Sequence, residues 1–393
     1  MQSQSVSLDA ASPGQLFNYP FRIFFLSVAV MALLWVPLWV AVVTGRLDLP
    51  LALPPLAWHR HEMLFGFLSA AIAGFLLTAA CVWTQTERTH GLRLMGLWLV
   101  WLAGRLLLAL GEGWPEALVQ GVNLAFIPLV MADAGWRIWR ARQRRQLMLL
   151  VVLGLLWFMQ IAYVRTFNPV FVSGALVLAM ALSGIIGGRI TPAFSTGWLR
   201  QQGRDEATTI RVAPTLDALQ VAAMLGLSLM VLSGARWGSM VTALVAAALM
   251  LARLAGWKGW LVTRNPLLWI LHLSLLWIPV ALLLFAGSSL FGWPASVWTH
   301  AAGLGVVASL ILGVMARVSL GHTGRPLTLP RGMVVAFLAI QAAAVVRVVT
   351  ALGGIAWQSG VMLSGLLWML AFALFLLRYA GILMRPRSDG LPG

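Results

Sequence analysis

Residues 21–44 read FRIFFLSVAVMALLWVPLWVAVVT, a run whose one charge is Arg22. As a helix rising 1.5 Å per residue it covers about 36 Å, enough to cross a hydrocarbon core of ~30 Å. Comparable runs recur almost to the C-terminus. Twelve spans are predicted, over 21–44, 61–84, 92–111, 116–136, 146–165, 169–189, 213–233, 237–256, 266–287, 296–319, 331–353 and 357–383. The 393 residues are 61 % hydrophobic and 10 % charged, with a mean hydropathy of +0.90. A soluble domain would be charged at about a quarter of its positions. The fold class that follows is all-α, a polytopic integral membrane protein of about twelve transmembrane helices. Its longest connections, 45–60, 190–212 and 320–330, leave no room for an appended soluble domain. One transmembrane domain over 1–393 is expected, divisible into halves 21–189 and 213–383, although no convincing repeat relates them. The first twenty residues are polar and lack a basic start or a cleavage site, so no removable signal peptide is expected.

A formal net charge of +16 raises the question of a nucleic-acid partner. Position argues against one, because the arginines gather in short loops between apolar runs. With the N-terminus inside, 21 of the 27 Lys and Arg residues fall on cytoplasmic segments and flanks. Arg46, Arg60, Arg165 and Arg236 lie outside, and Arg105 and Arg347 lie within spans. Both termini are therefore predicted to be cytoplasmic, and the loop 140–145 is expected to face anionic membrane lipid. Cys81, the single cysteine, permits neither an intrachain disulfide nor a thiolate cluster, and one lysine, Lys258, leaves little scope for Schiff-base chemistry. Gly184 and Gly188 would let another helix approach. Trp58, Trp83, Trp114, Trp237, Trp293 and Trp357 fall at span ends, where interface anchors belong. No chain of carboxylates crosses the spans, which disfavours proton pumping. There is also no phosphate loop, no haem-attachment cysteine pair and no serine–histidine–acid triad.

Polar residues near hydrocarbon are costly, so a shared depth among them needs a reason. His59, His61 and His300 are predicted near the outer ends of spans two and ten. Arg105 and Arg347 fall at a similar level of spans three and eleven, all within roughly 10 Å of the outer interface. The carboxylates there are Glu62, Glu112 and Glu116. If span two opens at Pro54-Pro55, His59, Glu62, Met63 and Gly66 share a face and His61 diverges from it. One metal on both imidazoles would then need a distorted first turn; otherwise the two histidines serve different sites, or one faces water. A haem with histidine on iron and propionates on Arg105 and Arg347 would account for the group. Copper held by three imidazoles would do so equally. The simpler account has the arginines snorkelling outward and the histidines capping helices or bonding to carbonyls.

A second group lies towards the cytoplasm. His272 is in span nine, and His322 falls in the predicted loop from Arg317 to Pro326, with Arg325 beside it. Gly187-Gly188-Arg189-Ile190-Thr191-Pro192 is expected to close span six. Glycines and arginines together could form an anion nest for a second set of propionates, or simply a positive-inside loop. His272 bonded to a carbonyl is the alternative for that residue. His90, beside Glu87 and Arg88, is expected to be solvated. The two levels stand roughly 20 Å apart, so one metal cannot collect all five histidines.

Several ordered segments resemble the NnrS family. They are Phe21-Arg22-Ile23-Phe24-Phe25, Trp58-His59-Arg60-His61-Glu62-Met63-Leu64-Phe65-Gly66-Phe67 and Ala73 through Ala79, then Gly104-Arg105, Gly188-Arg189 with Pro192-Ala193-Phe194, Arg264-Asn265-Pro266, Leu271-His272-Leu273, His300-Ala301 and Arg317 through Pro326. The resemblance implies a twelve-span bacterial inner-membrane protein with b-type haem and copper, linked to nitric-oxide metabolism, denitrification and protection from nitrosative stress. It implies His59, His61, His272, His300 and His322 as metal ligands. Its partners would be nitric oxide or iron-nitrosyl species and an unidentified electron donor. Arg60 stands where the family has a small residue, and Cys81-Val82 where it has Pro-Asn. Arg105, Arg347, Arg189, Arg317, Arg325 and Glu62 are the expected cofactor-binding residues. Whether the protein is an enzyme is left open, and the competing class is a transporter, scaffold or haem/copper carrier without redox catalysis.

Overall fold

The computed structural model describes residues 12–391, so the expectation of no signal peptide lies partly outside the described residues. Twelve helices are long and apolar enough to cross a membrane: α1 (Pro20–Val43), α2 (Pro55–Thr84), α3 (Gly91–Leu110), α4 (Glu116–Arg140), α5 (Leu147–Thr166), α6 (Pro169–Gln201), α7 (Pro214–Leu232), α8 (Arg236–Trp257), α9 (Pro266–Phe291), α10 (Ser296–His322), α11 (Met333–Ala351) and α12 (Trp357–Met384). Each matches one predicted span, and the described residues contain no strand. Proline opens α1, α2, α6, α7 and α9, where its missing N–H would have no helical partner anyway. In α6 and α9 an asparagine caps the start, accepting the Val170 and Leu267 amides at 3.0 and 3.1 Å.

Two boundaries differ from expectation. Helix α6 continues through Pro192 to Gln201 instead of closing near 189. An interior proline costs a helix about 3 kcal/mol, but in lipid each backbone group freed by unwinding costs several. The Gly187 and Gly188 amides therefore lie inside a helix, and the expected anion nest does not form there. Likewise His322 is the last residue of α10 and not part of a loop; the turn follows at Gly324, φ +70°.

The innermost spans are α2, α6 and α10, with 78 %, 78 % and 72 % of their apolar windows buried. They recur every fourth crossing, so all three enter the membrane from the same side. Helix α1 packs against both α2 and α12, bringing the two ends of the bundle together. Leu92, Phe291 and Leu377 on the perimeter are strongly exposed, as lipid-facing side chains are. Trp114, Trp237 and Trp357 are also exposed at helix ends. Trp58 is a correction to the anchor reading: it is fully buried and stacks on Trp35, centroids 6.4 Å apart.

Both α2 and α10 loosen into a π-helix just after their outer histidines, over Glu62–Phe67 and Ala301–Ala308. A π turn admits an extra residue and re-aims the side chains that follow it.

Candidate functional site

The polar residues predicted at the outer level form two groups, not one. The first is a closed cage of His61 and Glu62 from α2, Arg105 from α3, Asn123 from α4 and Gln160 from α5, none more than 2 % exposed. His61 Nδ1 lies 3.0 Å from Glu62 Oε1, and Arg105 Nη1 donates to the same oxygen at 2.9 Å. Arg105 Nη2 donates to Asn123 Oδ1 at 2.6 Å. Asn123 therefore turns its amide Nδ2 to His61 Nε2 at 3.1 Å, and Gln160 Nε2 stands at the same distance. With Glu62 accepting at Nδ1, the imidazole carries its proton there and presents the Nε2 lone pair to the two amides. Two glycines make the cage possible. A Cβ at Gly66 would fall 2.5 Å from Arg105 Nη1, and one at Gly104 would lie 3.3 Å from Asn123 Cα, where α4 crosses α3. Of the three outer carboxylates only Glu62 takes part; Glu112 and Glu116 are exposed.

The second group comprises His59, His300 and Arg347, from α2, α10 and α11. His59 and His300 occupy equivalent places, each four residues beyond the first residue of its helix. The His59 ring lies flat on Trp39 of α1, centroids 4.3 Å apart and planes 8° from parallel. Its Nδ1 is buried and has no hydrogen-bond partner among the described residues. His300 Nδ1–H donates to Ser296 O at 2.7 Å, which leaves its Nε2 lone pair free. Both imidazoles lie within electrostatic reach of Arg347, and His300 within reach of His59. Arg347 makes no hydrogen bond or ion pair among the described residues. The expectation of one level-sharing cluster is thus corrected. His61 diverges from His59, as helical spacing requires, and Arg105 is engaged by Glu62 while Arg347 accompanies the other two histidines. Among the described residues no three His, Cys, Asp or Glu side chains gather to hold one metal ion.

The inner residues are dispersed as well. His272 Nε2 lies 3.0 Å from Ser195 Oγ, whose own proton goes to Thr191 O at 2.8 Å. His272 therefore donates to Ser195, and its Nδ1 is buried without a partner among the described residues, packed where a Cβ on Gly259 would come within 2.7 Å of it. The Arg317 guanidinium sits 4.0 Å from the Phe194 ring centroid. Arg189 donates to Gln146 Oε1 at 2.7 Å, and Arg325 to Thr323 O at 3.3 Å. His322 packs on Phe21, centroids 5.5 Å apart. His90 pairs with Glu87 at 2.9 Å at the surface, as expected. What approaches Gly184 and Gly188 is a guanidinium: Arg253 Nη2 donates to Gly184 O at 3.1 Å while its Nε holds Asp217 at 2.7 Å.

A family model described as NnrS protein matches residues 15–387. The chain belongs to the NnrS family. No curated protein matches it. The match takes in all five histidines singled out from the sequence, together with both π-helices. This NnrS chain also uses residues that sequence reading passed over, namely Trp39, Asn123, Gln160, Ser195 and Arg253. For Asn123 and Gln160 a signal existed, since an uncharged amide inside an otherwise apolar span bonds across helices. Trp39 looked like any other packing tryptophan.

Proposed function

We propose that this NnrS-family protein binds a b-type haem at the outer end of the bundle and acts there on nitric oxide or iron-nitrosyl species, in the bacterial inner membrane, as a protection against nitrosative stress. The observation that carries the reading is the pairing of His59 and His300 beside Arg347. Two imidazoles with available nitrogens and a cation without a partner among the described residues fit an iron ligand set and a propionate. Haem iron would supply the chemistry towards nitric oxide. His300 would hold the iron, because Ser296 O takes its Nδ1–H and leaves the Nε2 lone pair available. Trp39 stacks on the His59 ring and covers one face of it. Arg347 offers the charge that a propionate needs at this depth.

The donor set does not fit copper held by three imidazoles, since His61 is confined in its own cage. Glu62 backs His61 as a carboxylate backs a metal-bound imidazole, but Asn123 and Gln160 occupy its lone-pair side. Copper is therefore given no site here, and Arg105 is given to the cage in place of a propionate.

The test is the visible spectrum of the purified protein, oxidised, reduced, and reduced with nitric oxide. His300→Ala should lose the Soret band, whereas His59→Ala should keep haem and change the nitric-oxide spectrum. His61→Ala should leave both spectra in place. A wild-type protein without a Soret band, or His300→Ala with an unaltered one, would overturn the assignment.

A further inference from the structure

Below the two π turns, where α1, α2, α6 and α10 meet, the helices line a half-open cavity of about 60 Å³. Leu68 and Ala71 of α2, Leu182 and Ser183 of α6, and Val307 and Leu310 of α10 form much of its wall. It lies roughly 10–18 Å along the helices from the His59–His300 level, at the helical rise. These are the most buried spans of the molecule, yet each of these six side chains retains 4–8 % exposure.

The cavity has room for a few particles of water size, but water held in a protein needs two to four polar partners. Ser183 Oγ is the polar side-chain group in the wall. Three other serines of these helices return their proton to a carbonyl about one turn back, Ser69 at 3.1 Å, Ser195 at 2.8 Å and Ser309 at 3.2 Å. Ser183 makes no hydrogen bond among the described residues although it is only 8 % exposed. The site is therefore apolar, short of partners for water, and supplied with one unspent hydroxyl.

We propose that this cavity binds a small uncharged molecule of the diatomic-gas class, taken up from the membrane and held by apolar contact with one weak hydrogen bond from Ser183. A molecule of this kind partitions into hydrocarbon and needs no charged partner, which matches the wall. The proposal deepens the nitric-oxide reading by placing a reservoir on the path along α2 and α10. It rests on that reading only for which gas is held.

Xenon is the probe, because it is apolar, of atomic size and indifferent to haem. The full chain in nanodiscs is titrated with xenon and followed by ¹²⁹Xe NMR against empty nanodiscs. A saturable component is expected for the wild type. Ala71→Leu, which grows into the void, should lower its affinity at least tenfold, and Ser183→Leu fills the same space from the opposite wall should the first variant fail to fold. No saturable component in the folded wild type, or an unchanged one in a folded filling variant, overturns the proposal. A saturable signal from protein lacking a Soret band would support the cavity and remove nitric oxide as its ligand. A Soret band without saturable xenon would overturn the cavity alone.

Discussion

Arg105→Met removes the cation from the cage around His61, and its cost can be worked from the contacts. Arg105 gives Glu62 a 2.9 Å ion pair and Asn123 a 2.6 Å hydrogen bond, and neither partner has meaningful contact with solvent. Removing one member of a buried pair typically costs about 3–5 kcal/mol, chiefly because the other charge stays buried. The stranded Asn123 oxygen adds about 1–3 kcal/mol. His61 offsets part of this, since a proton on both nitrogens would neutralise Glu62. A net loss of about 3–5 kcal/mol is expected. Adding Glu62→Gln to Arg105→Met should recover about 1–3 kcal/mol, because no charge then remains uncompensated. Equilibrium unfolding of purified protein in mixed micelles with rising dodecyl sulfate, followed by tryptophan fluorescence, measures both. If Arg105→Met lies within about 1 kcal/mol of wild type, or the double variant is no more stable than the single, the cage does not hold the bundle as argued.

Two further expectations concern the cage and the C-terminal tail. Gly66→Ala places a methyl 2.5 Å from Arg105 Nη1 and 2.9 Å from Met31 Cε; overpacking of this kind costs about 1–3 kcal/mol in the same unfolding assay, and a neutral result would mean the guanidinium has room to move. Arg387 beside Asp389 holds that carboxyl at about 2, below the ordinary 3.8. A lowered carboxylate contributes fully above its unfolded value and loses its contribution as pH falls through the folded one. Amide-exchange protection of Ser388, which donates to Thr323 O at 3.1 Å, should therefore hold from neutral pH to about 4 and fall towards about 2, with the dependence abolished by Asp389→Asn. Loss of protection already near pH 6 would show that another group fastens the tail.

Much of the site could be read before any coordinates were available, and the failures have physical causes. Placing His59 and His300 at one depth needed only helix rise and the ends of apolar runs. The split between His59 and His61 followed from their spacing of two, which the helix beginning at Pro55 preserves. Grouping Arg105 with Arg347 was wrong because depth along the membrane normal says nothing about lateral position. Arg105 bonds to Glu62 and Asn123, and Arg347 lies within electrostatic reach of the other two histidines. The expected nest at Gly187–Gly188 failed for a different reason. Gly and Pro mark turns in water, where a freed amide finds a solvent partner, and in lipid it finds none.

By itself, the amino-acid order determined twelve crossings and which polar side chains fall within them, because a chain in hydrocarbon must satisfy its backbone within each helix and pays for every charge it submerges. Tertiary structure alone decided which submerged groups meet. That depends on which spans lie side by side and on how far the π turns rotate the residues below them. Both are settled by side chains from five or six helices packing at once, which no single stretch of sequence contains.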